Sequence, residues 1–269
     1  MQTFSLQSGS SGNCYFYQSK DVKLLFDAGI PWRAAADRLA KYGISQNGIR
    51  GIFVSHDHSD HVSCAGVYQR KLNAPLFATR HTVAGIGHRL GKVKPADIHY
   101  FNPGDEVKIG HVTVLSIPTP HDASDPCAFV VDDGATRVGI LTDLGHGFPG
   151  LRKCLEDLDA VFMESNYDEN MLKSNHAYPA QLKWRIRSPH GHLENTESAD
   201  LLNECCSDRL QVVLLAHLSG ENNSPAIALN THQKLTRHKK NVTFHVAPRD
   251  RVSPMVLLDG KRFEQASLF

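Results

Sequence analysis

Apolar runs of four to six residues, rich in β-branched and aromatic side chains, alternate along this chain with longer stretches whose apolar positions recur every three or four residues. The first pattern predicts strands and the second predicts helices. Residues 13–18 and 22–27 read as a hairpin turned by Ser19-Lys20-Asp21. Residues 32–42 are Ala-rich and amphipathic, opened by Pro31 and stopped by Gly43, which predicts a helix. Residues 49–54 form a buried-type strand that runs straight into Ser55-His56-Asp57-His58-Ser59-Asp60-His61. Further helices are expected over 63–72, 79–90, 178–187, 194–206 and 224–237, the last running into a basic end, Arg237-His238-Lys239-Lys240. Further strands are expected over 76–78, 106–109, 112–117, 127–131, 137–141, 160–163, 211–215 and 242–246, with 254–258 as an edge. Residues 1–12 read as a polar, Ser/Gly-rich opening segment without the basic flank and apolar core of a secretory signal.

No repeat, low-complexity tract or linker interrupts this alternation, which runs through two β-rich halves, roughly 1–145 and 146–269. One sheet does not hold this many strands without splitting or curling. The pattern therefore predicts an α/β (α+β) domain spanning 1–269, with two sheets packed face to face and helices on the outer faces.

Composition narrows the function classes. With 41% hydrophobic and 21% charged residues the chain is neither disordered nor a coiled coil. A net charge of +1 excludes a generally cationic nucleic-acid binder, and no apolar run approaches the ~18 residues of a membrane span. The six cysteines contain no Cys-x-x-Cys pair, and a chain this long buries a core without disulfides, which fits reduced thiols in a cytoplasm. The anomaly is histidine: sixteen copies, more than the seven tyrosines and two tryptophans combined. Histidine is the commonest metal ligand and the acid–base group of neutral pH.

The segment His56-x-His58-x-Asp60-His61 sets four metal-competent side chains in six residues directly after a strand. His56 and His58 alternate by two and point the same way from extended chain; Asp60 and His61 follow the turn and face a second position nearby. Such a loop can serve two ions, which in hydrolytic sites lie roughly 3.5–4 Å apart. Catalytic metals take about three protein ligands each, so more are needed. His121, Asp143 and His217 each follow an apolar strand at its carboxyl end, as His56 does.

This set in this order resembles the metallo-β-lactamase superfamily, over essentially the whole chain. The resemblance implies the four-layer αββα sandwich. It also implies that His56, His58 and His121 hold one divalent ion, that Asp60, His61 and His217 hold the other, and that Asp143 bridges them. Asp27, in Leu25-Phe26-Asp27-Ala28-Gly29, resembles the early aspartate that supports the metal loop without binding metal. Zinc suits the ligand set, and manganese or iron fits nearly as well. The short interval between Asp143 and His217 leaves no room for the inserted domain of the β-CASP nucleases.

Within the superfamily, the chain resembles a bacterial cytoplasmic group, the YycJ/WalJ-like nucleases. Four segments carry that likeness: Ser8-Gly9-Ser10-Ser11-Gly12-Asn13-Cys14, Glu164-Ser165-Asn166-Tyr167-Asp168-Glu169-Asn170-Met171-Leu172, Gly191-His192-Leu193-Glu194-Asn195 and His217-Leu218-Ser219-x-Glu221-Asn222-Asn223. It implies a metal-dependent phosphodiesterase that degrades DNA from the 5′ end with a metal-activated water. Asp60 would orient that water. His192, at a helix entrance outside the ligand set, would protonate the leaving oxygen. Ser10, Ser11 and Asn13 offer hydroxyl, amide and backbone N–H groups to phosphate. Lys183, Arg187 and Arg249 offer charge, and Trp184 offers a stacking surface. His146 and His190 adjoin these residues without an assigned role. The alternative is a small-molecule hydrolase, a cyclic phosphodiesterase or a glyoxalase-II-like thioesterase, built on the same metal site. Near-neutral charge suits that reading, while the lack of a C-terminal helical substrate domain counts against the thioesterase.

Overall fold

The computed structural model describes residues 1–236, 241–259 and 263–266; the basic run Arg237–Lys240 lies outside the described residues. One sheet contains β1 (Gln2–Gln7), β2 (Cys14–Ser19), β3 (Val22–Phe26), β4 (Ile49–Phe53), β5 (Leu76–Ala78) and β6 (Ile98–Tyr100). The other contains β7 (Glu106–Ile109), β8 (Val112–Pro118), β9 (Cys127–Asp132), β10 (Arg137–Leu141), β11 (Ala160–Glu164), β12 (Val212–Ala216) and β13 (Thr243–Val246). The chain then returns to the first sheet with β14 (Met255–Leu258) and β15 (Phe263–Ala266), giving the orders β15-β14-β1-β2-β3-β4-β5-β6 and β13-β12-β11-β10-β9-β8-β7. The sheets thus do not follow the two halves of the sequence. The strands divide between residues 100 and 106, and β14 closes back on β1, with Gln2 opposite Leu257.

Three apolar clusters build the four layers. Tyr15, Tyr17, Phe26, Phe53, Phe129 and Phe162 fill the space between the sheets. Against the outer face of the first sheet pack α1 (Trp32–Ala40), α3 (Ala65–Leu72) and α4 (Arg80–Leu90), through Leu39, Tyr68 and Ile86. The label α2 is kept for the single turn Ser59–Val62. Against the second sheet pack α5 (Pro149–Leu155), α8 (Asn195–Cys205) and α9 (Pro225–Leu235), through Leu151, Leu201 and Ala228. Two short helices, α6 (Glu169–Ser174) and α7 (Ala180–Arg187), lie between β11 and α8.

The opening segment corrects the sequence reading. Residues 2–7 are a strand held between β2 and β14, with Phe4 and Leu6 fully buried. Its polar residues are buried too: Thr3 Oγ1 donates to the Phe16 carbonyl at 2.7 Å, and the Ser5 N–H donates to Ser253 Oγ at 2.9 Å. Thr3-Phe4-Ser5-Leu6-Gln7 does alternate polar and apolar, but with only two apolar residues beside a Ser/Gly-rich stretch this short signal merges into the polar opening segment. The three-residue β6 and the helix α6, capped by Asp168 accepting from Met171 N–H at 2.9 Å, also escaped the pattern because both are short.

What matters for function is strand direction. In the first sheet β3 and β4 run parallel; in the second β10, β11 and β12 run parallel, and β8 shares their direction because β9 is antiparallel to both β8 and β10. The carboxyl ends of these six strands therefore gather at one edge of the sandwich. The turn before β2 and the stretch after β3 are both stitched to the loop after β4: Asn13 N–H reaches the Asp60 carbonyl, and Ala28 N–H the His61 carbonyl, each at 2.7 Å. A Cβ on Gly29 would lie 1.7 Å from the Asp60 carbonyl oxygen, so only glycine fits there. Gly29→Ala is expected to displace the His56–His61 loop, costing at least ~1–3 kcal/mol of stability. A denaturation midpoint within error of wild type would refute this.

Candidate metal centre

Each strand of that edge delivers one polar side chain as it ends. β3 gives Asp27, β4 gives the His56–His61 loop, β8 gives His121, β10 gives Asp143, β11 gives Glu164 and β12 gives His217. Three of them turn off their strands with left-handed backbone: Asp27 (φ 62°), Asp143 (φ 59°) and His217 (φ 56°). Such conformations cost on the order of 1–3 kcal/mol each and persist where the surroundings over-determine them.

The side chains form overlapping groups whose ligand atoms lie within 4.8 Å of one another: His56, His58 and His121; His56, His61 and Asp143; Asp60, His61 and His217; and Asp143, Glu164, His192 and His217. The hydrogen bonds on the far side of each imidazole decide which nitrogen faces inward. His61 Nδ1 donates to Asp27 Oδ2 at 2.7 Å, His121 Nδ1 to the Gly191 carbonyl at 2.9 Å and His217 Nδ1 to Glu164 Oε1 at 3.2 Å. Each therefore turns Nε2 toward the centre, the orientation typical of metal-binding histidines, with Asn13 Nδ2 standing 3.0 Å from His61 Nε2. His121 Nε2 stands 3.2 Å from His58 Nδ1, and Asp60 Oδ2 stands 3.5 Å from both His61 Nε2 and His217 Nε2. Tetrahedral ligands about zinc, with bonds of about 2.0–2.1 Å, sit ~3.4 Å apart.

Two atoms test the fit most directly. His56 Nε2 and Asp143 Oδ2 are buried without a hydrogen-bond partner among the described residues, although Asp143 Oδ2 lies 3.2 Å from His61 Nε2. A buried lone pair left unpaired costs about 1–3 kcal/mol, and a divalent cation removes that cost. The donor set of imidazole and carboxylate suits zinc, manganese or iron alike.

The electrostatics are those of buried carboxylates and imidazoles facing one another. Burial opposes charge on Asp143, but His217 and His61 outweigh it and hold the carboxyl well below its usual range. Burial also opposes charge on His217, yet Asp143, Asp60 and Glu164 push its pKa up to about 10. His56 moves the other way: burial, then the neighbouring His61, hold it well below its ordinary value. At pH 8 the metal-free protein therefore carries a proton on His217 that an incoming cation must displace. Metal binding is expected to release protons and to tighten as pH rises toward 10. Calorimetry in two buffers of different ionisation enthalpy measures this; heats independent of the buffer would refute it.

Glu164 is the residue the sequence reading missed. It is fully buried at the carboxyl end of β11, and Oε1 accepts from both His217 Nδ1 and His192 Nδ1 (2.8 Å) while Oε2 accepts from Leu144 N–H (2.8 Å). Burial raises its pKa, but the bonds from His192 and His217 prevail and hold it at about 2. The signal was present: Glu164 follows an apolar strand as the candidate ligands do. Ser55 was missed as well; its N–H and hydroxyl donate to Asp27, and its oxygen faces His56 Nδ1 at 2.9 Å.

The remaining predicted residues separate. His192 reaches the centre, its ring 5.1 Å from His121 and 5.2 Å from His217, centroid to centroid. Asn13 is fully buried and bonds Asp60 Oδ2 at 3.2 Å and the Gly9 carbonyl at 3.2 Å, so it braces Asp60 instead of meeting a substrate. Ser10 and Ser11 are exposed at the loop tip. Arg187 is paired with Glu169 at 2.9 Å, and Lys183 donates to the Lys173 carbonyl at 2.8 Å. Arg249 donates to the Leu218 carbonyl at 2.6 Å and packs on Gly9 and Gly220, which makes it a clamp on the His217 loop. Trp184 stands free on α7. His146 and His190 donate through Nδ1 to the Pro189 and Pro120 carbonyls, each at 2.8 Å, and hold the rim together.

Comparison with known proteins identifies the family. Residues 8–170 match the family model described as the Metallo-beta-lactamase superfamily. The chain is 31% identical over 223 residues to the exodeoxyribonuclease YycJ of Bacillus anthracis, covering 83% of this chain and 84% of the relative. It is 33% identical over 227 residues to the exodeoxyribonuclease WalJ of Streptococcus pneumoniae, covering 83% of each. Its fold resembles the crystal structure of YhfI from Bacillus subtilis, a metallo-beta-lactamase fold protein, with a TM-score of 0.71 at 16% identity, covering 93% of this chain and 98% of the other.

Proposed function

This chain belongs to the metallo-beta-lactamase superfamily as a metal-dependent hydrolase, and we propose that it works as a 5′-to-3′ DNA exonuclease holding two divalent cations. The observation that carries the dinuclear reading is the split of its ligands into two triads, His56/His58/His121 and Asp60/His61/His217, with Asp143 within reach of members of both. The printed activity of the YycJ and WalJ relatives supports DNA as the substrate, and the 5′ polarity follows the family resemblance.

Cations held by these triads, zinc in the first instance, supply Lewis acidity and lower the pKa of water. The protein does the rest. Asp60, braced by Asn13, orients the attacking water. His192 donates from Nδ1 to Glu164, which leaves Nε2 as the atom that delivers a proton to the leaving oxygen; the Glu164 carboxylate stabilises the charged ring from behind. Nothing in this constellation reads a base edge, so cleavage has little sequence preference. No disulfide joins the cysteines, and no helix among the described residues is long and apolar enough to cross a membrane; the bacterial nuclease relatives support a cytoplasmic enzyme.

The test is digestion of end-labelled single- and double-stranded DNA at two salt concentrations, beside RNA, a cyclic nucleotide, bis-p-nitrophenyl phosphate and a thioester. Stepwise loss of the 5′ label, steeply weakened by salt, is the expected result. Nicking of closed circular DNA would overturn the exonuclease. Brisk turnover of a small ester without action on nucleic acid would make the protein a small-molecule hydrolase.

A further inference from the structure

Helix α7 has no buried residue among its eight. Polar contacts hold it instead: Arg185 Nε and Nη2 reach Asp122 at 2.6 and 3.2 Å, and Arg187 and Lys183 make the contacts described above. On this helix Trp184 leaves 71% of its surface exposed, the largest exposure of any bulky apolar side chain among the described residues. Beneath it lies a pocket of about 480 Å³ lined by Asp122, Pro179, Gln181, Leu182, Trp184 and Arg185. That volume falls in the ~300–1,000 Å³ range of small-molecule sites. Asp122 directly follows His121, and its Oδ1 lies 3.6 Å from His121 Nε2 and 3.9 Å from His58 Nε2. The pocket and the candidate metal centre therefore share a wall.

We propose that this pocket receives the base of the nucleotide whose phosphate lies at the metal centre, stacked on the Trp184 indole. The inference rests on the nuclease reading and adds the subsite that grips the substrate end. Its chemistry excludes a phosphate and admits a base. The carboxylate in the wall repels an anion, and the one arginine there is already committed to that carboxylate. What remains is a neutral pair beside flat apolar surface from Trp184, Pro179 and Leu182. Every base has a π-face, so stacking grips a strand end whatever its sequence.

Two measurements test it. Tryptophan fluorescence of the metal-loaded enzyme is titrated with dAMP and with 2-deoxyribose 5-phosphate, which share the phosphate and differ in the base. Quenching by dAMP alone, absent in Trp184→Ala, is expected; an equal response to both ligands, or quenching that persists in Trp184→Ala, overturns the pocket. In the second measurement, Trp184→Ala raises KM for 5′-phosphorylated DNA about ten-fold with kcat nearly unchanged, and Trp184→Phe restores most of it. On a strand whose terminal residue is abasic, wild type shows the same raised KM and Trp184→Ala adds nothing. An unchanged KM in Trp184→Ala, on DNA that wild type digests, removes the pocket and leaves the nuclease standing. Wild type inert on DNA yet quenched by dAMP keeps the pocket and removes the exonuclease.

Discussion

Asp143→Ala is expected to hold no more than one metal ion per chain where wild type holds two, and to lose phosphodiester hydrolysis almost completely. Asp143 Oδ2 stands 3.2 Å from His61 Nε2 and Oδ1 stands 3.5 Å from His121 Nε2, so this one carboxylate serves both triads. Removing it also takes away the anion that most offsets the burial of His217 and His61. Two clamped ions contribute several kcal/mol to the transition state, so turnover should fall on the order of 10³-fold or more. Elemental analysis of fully loaded wild type and variant, beside turnover of a chromogenic phosphodiester, checks both halves. A wild type that saturates at one metal ends the dinuclear account; a variant that keeps two metals and full activity ends the bridging role.

His192→Ala is expected to keep both metals and lose turnover by roughly 10²–10⁴-fold, the usual worth of a positioned proton donor. The imidazole lies over the centre, 22% exposed, with Nδ1 committed to Glu164 at 2.8 Å. An ester whose leaving group needs no proton gives the sharper readout: p-nitrophenolate departs unaided, so the loss should be far smaller there than on DNA. Equal losses on both substrates would assign His192 to binding. A drop in metal content would assign it to the ligand set, beside Asp143 and His217, with which it already shares a cluster.

The legible and the illegible parts of this protein divide along a physical line. The strands with a single-faced pattern, the amphipathic helices and the residues that follow apolar strands were all written in local periodicity. His56, His121, Asp143 and His217 stand out as candidates because each follows an apolar strand at its carboxyl end, and His58, Asp60 and His61 because they crowd the same loop. The two-sheet architecture followed from strand number alone. Tertiary structure decided the rest. β1 offers only a two-residue apolar alternation, and it is pairing with β2 and β14 that buries both its faces, with Thr3 Oγ1 on the Phe16 carbonyl and the Ser5 N–H on Ser253 Oγ. Glu164 looked like the polar end of a strand until parallel pairing with β10 and β12 placed it behind two histidines. Arg187, Arg249 and Asn13 carry the right chemistry for phosphate, yet folding spends them on Glu169, Leu218 and Asp60. A side chain's type is fixed by sequence, but whether its charge or hydrogen bonds remain available depends on neighbours that can lie a hundred residues or more away along the chain. Only the closed sandwich brings those neighbours together.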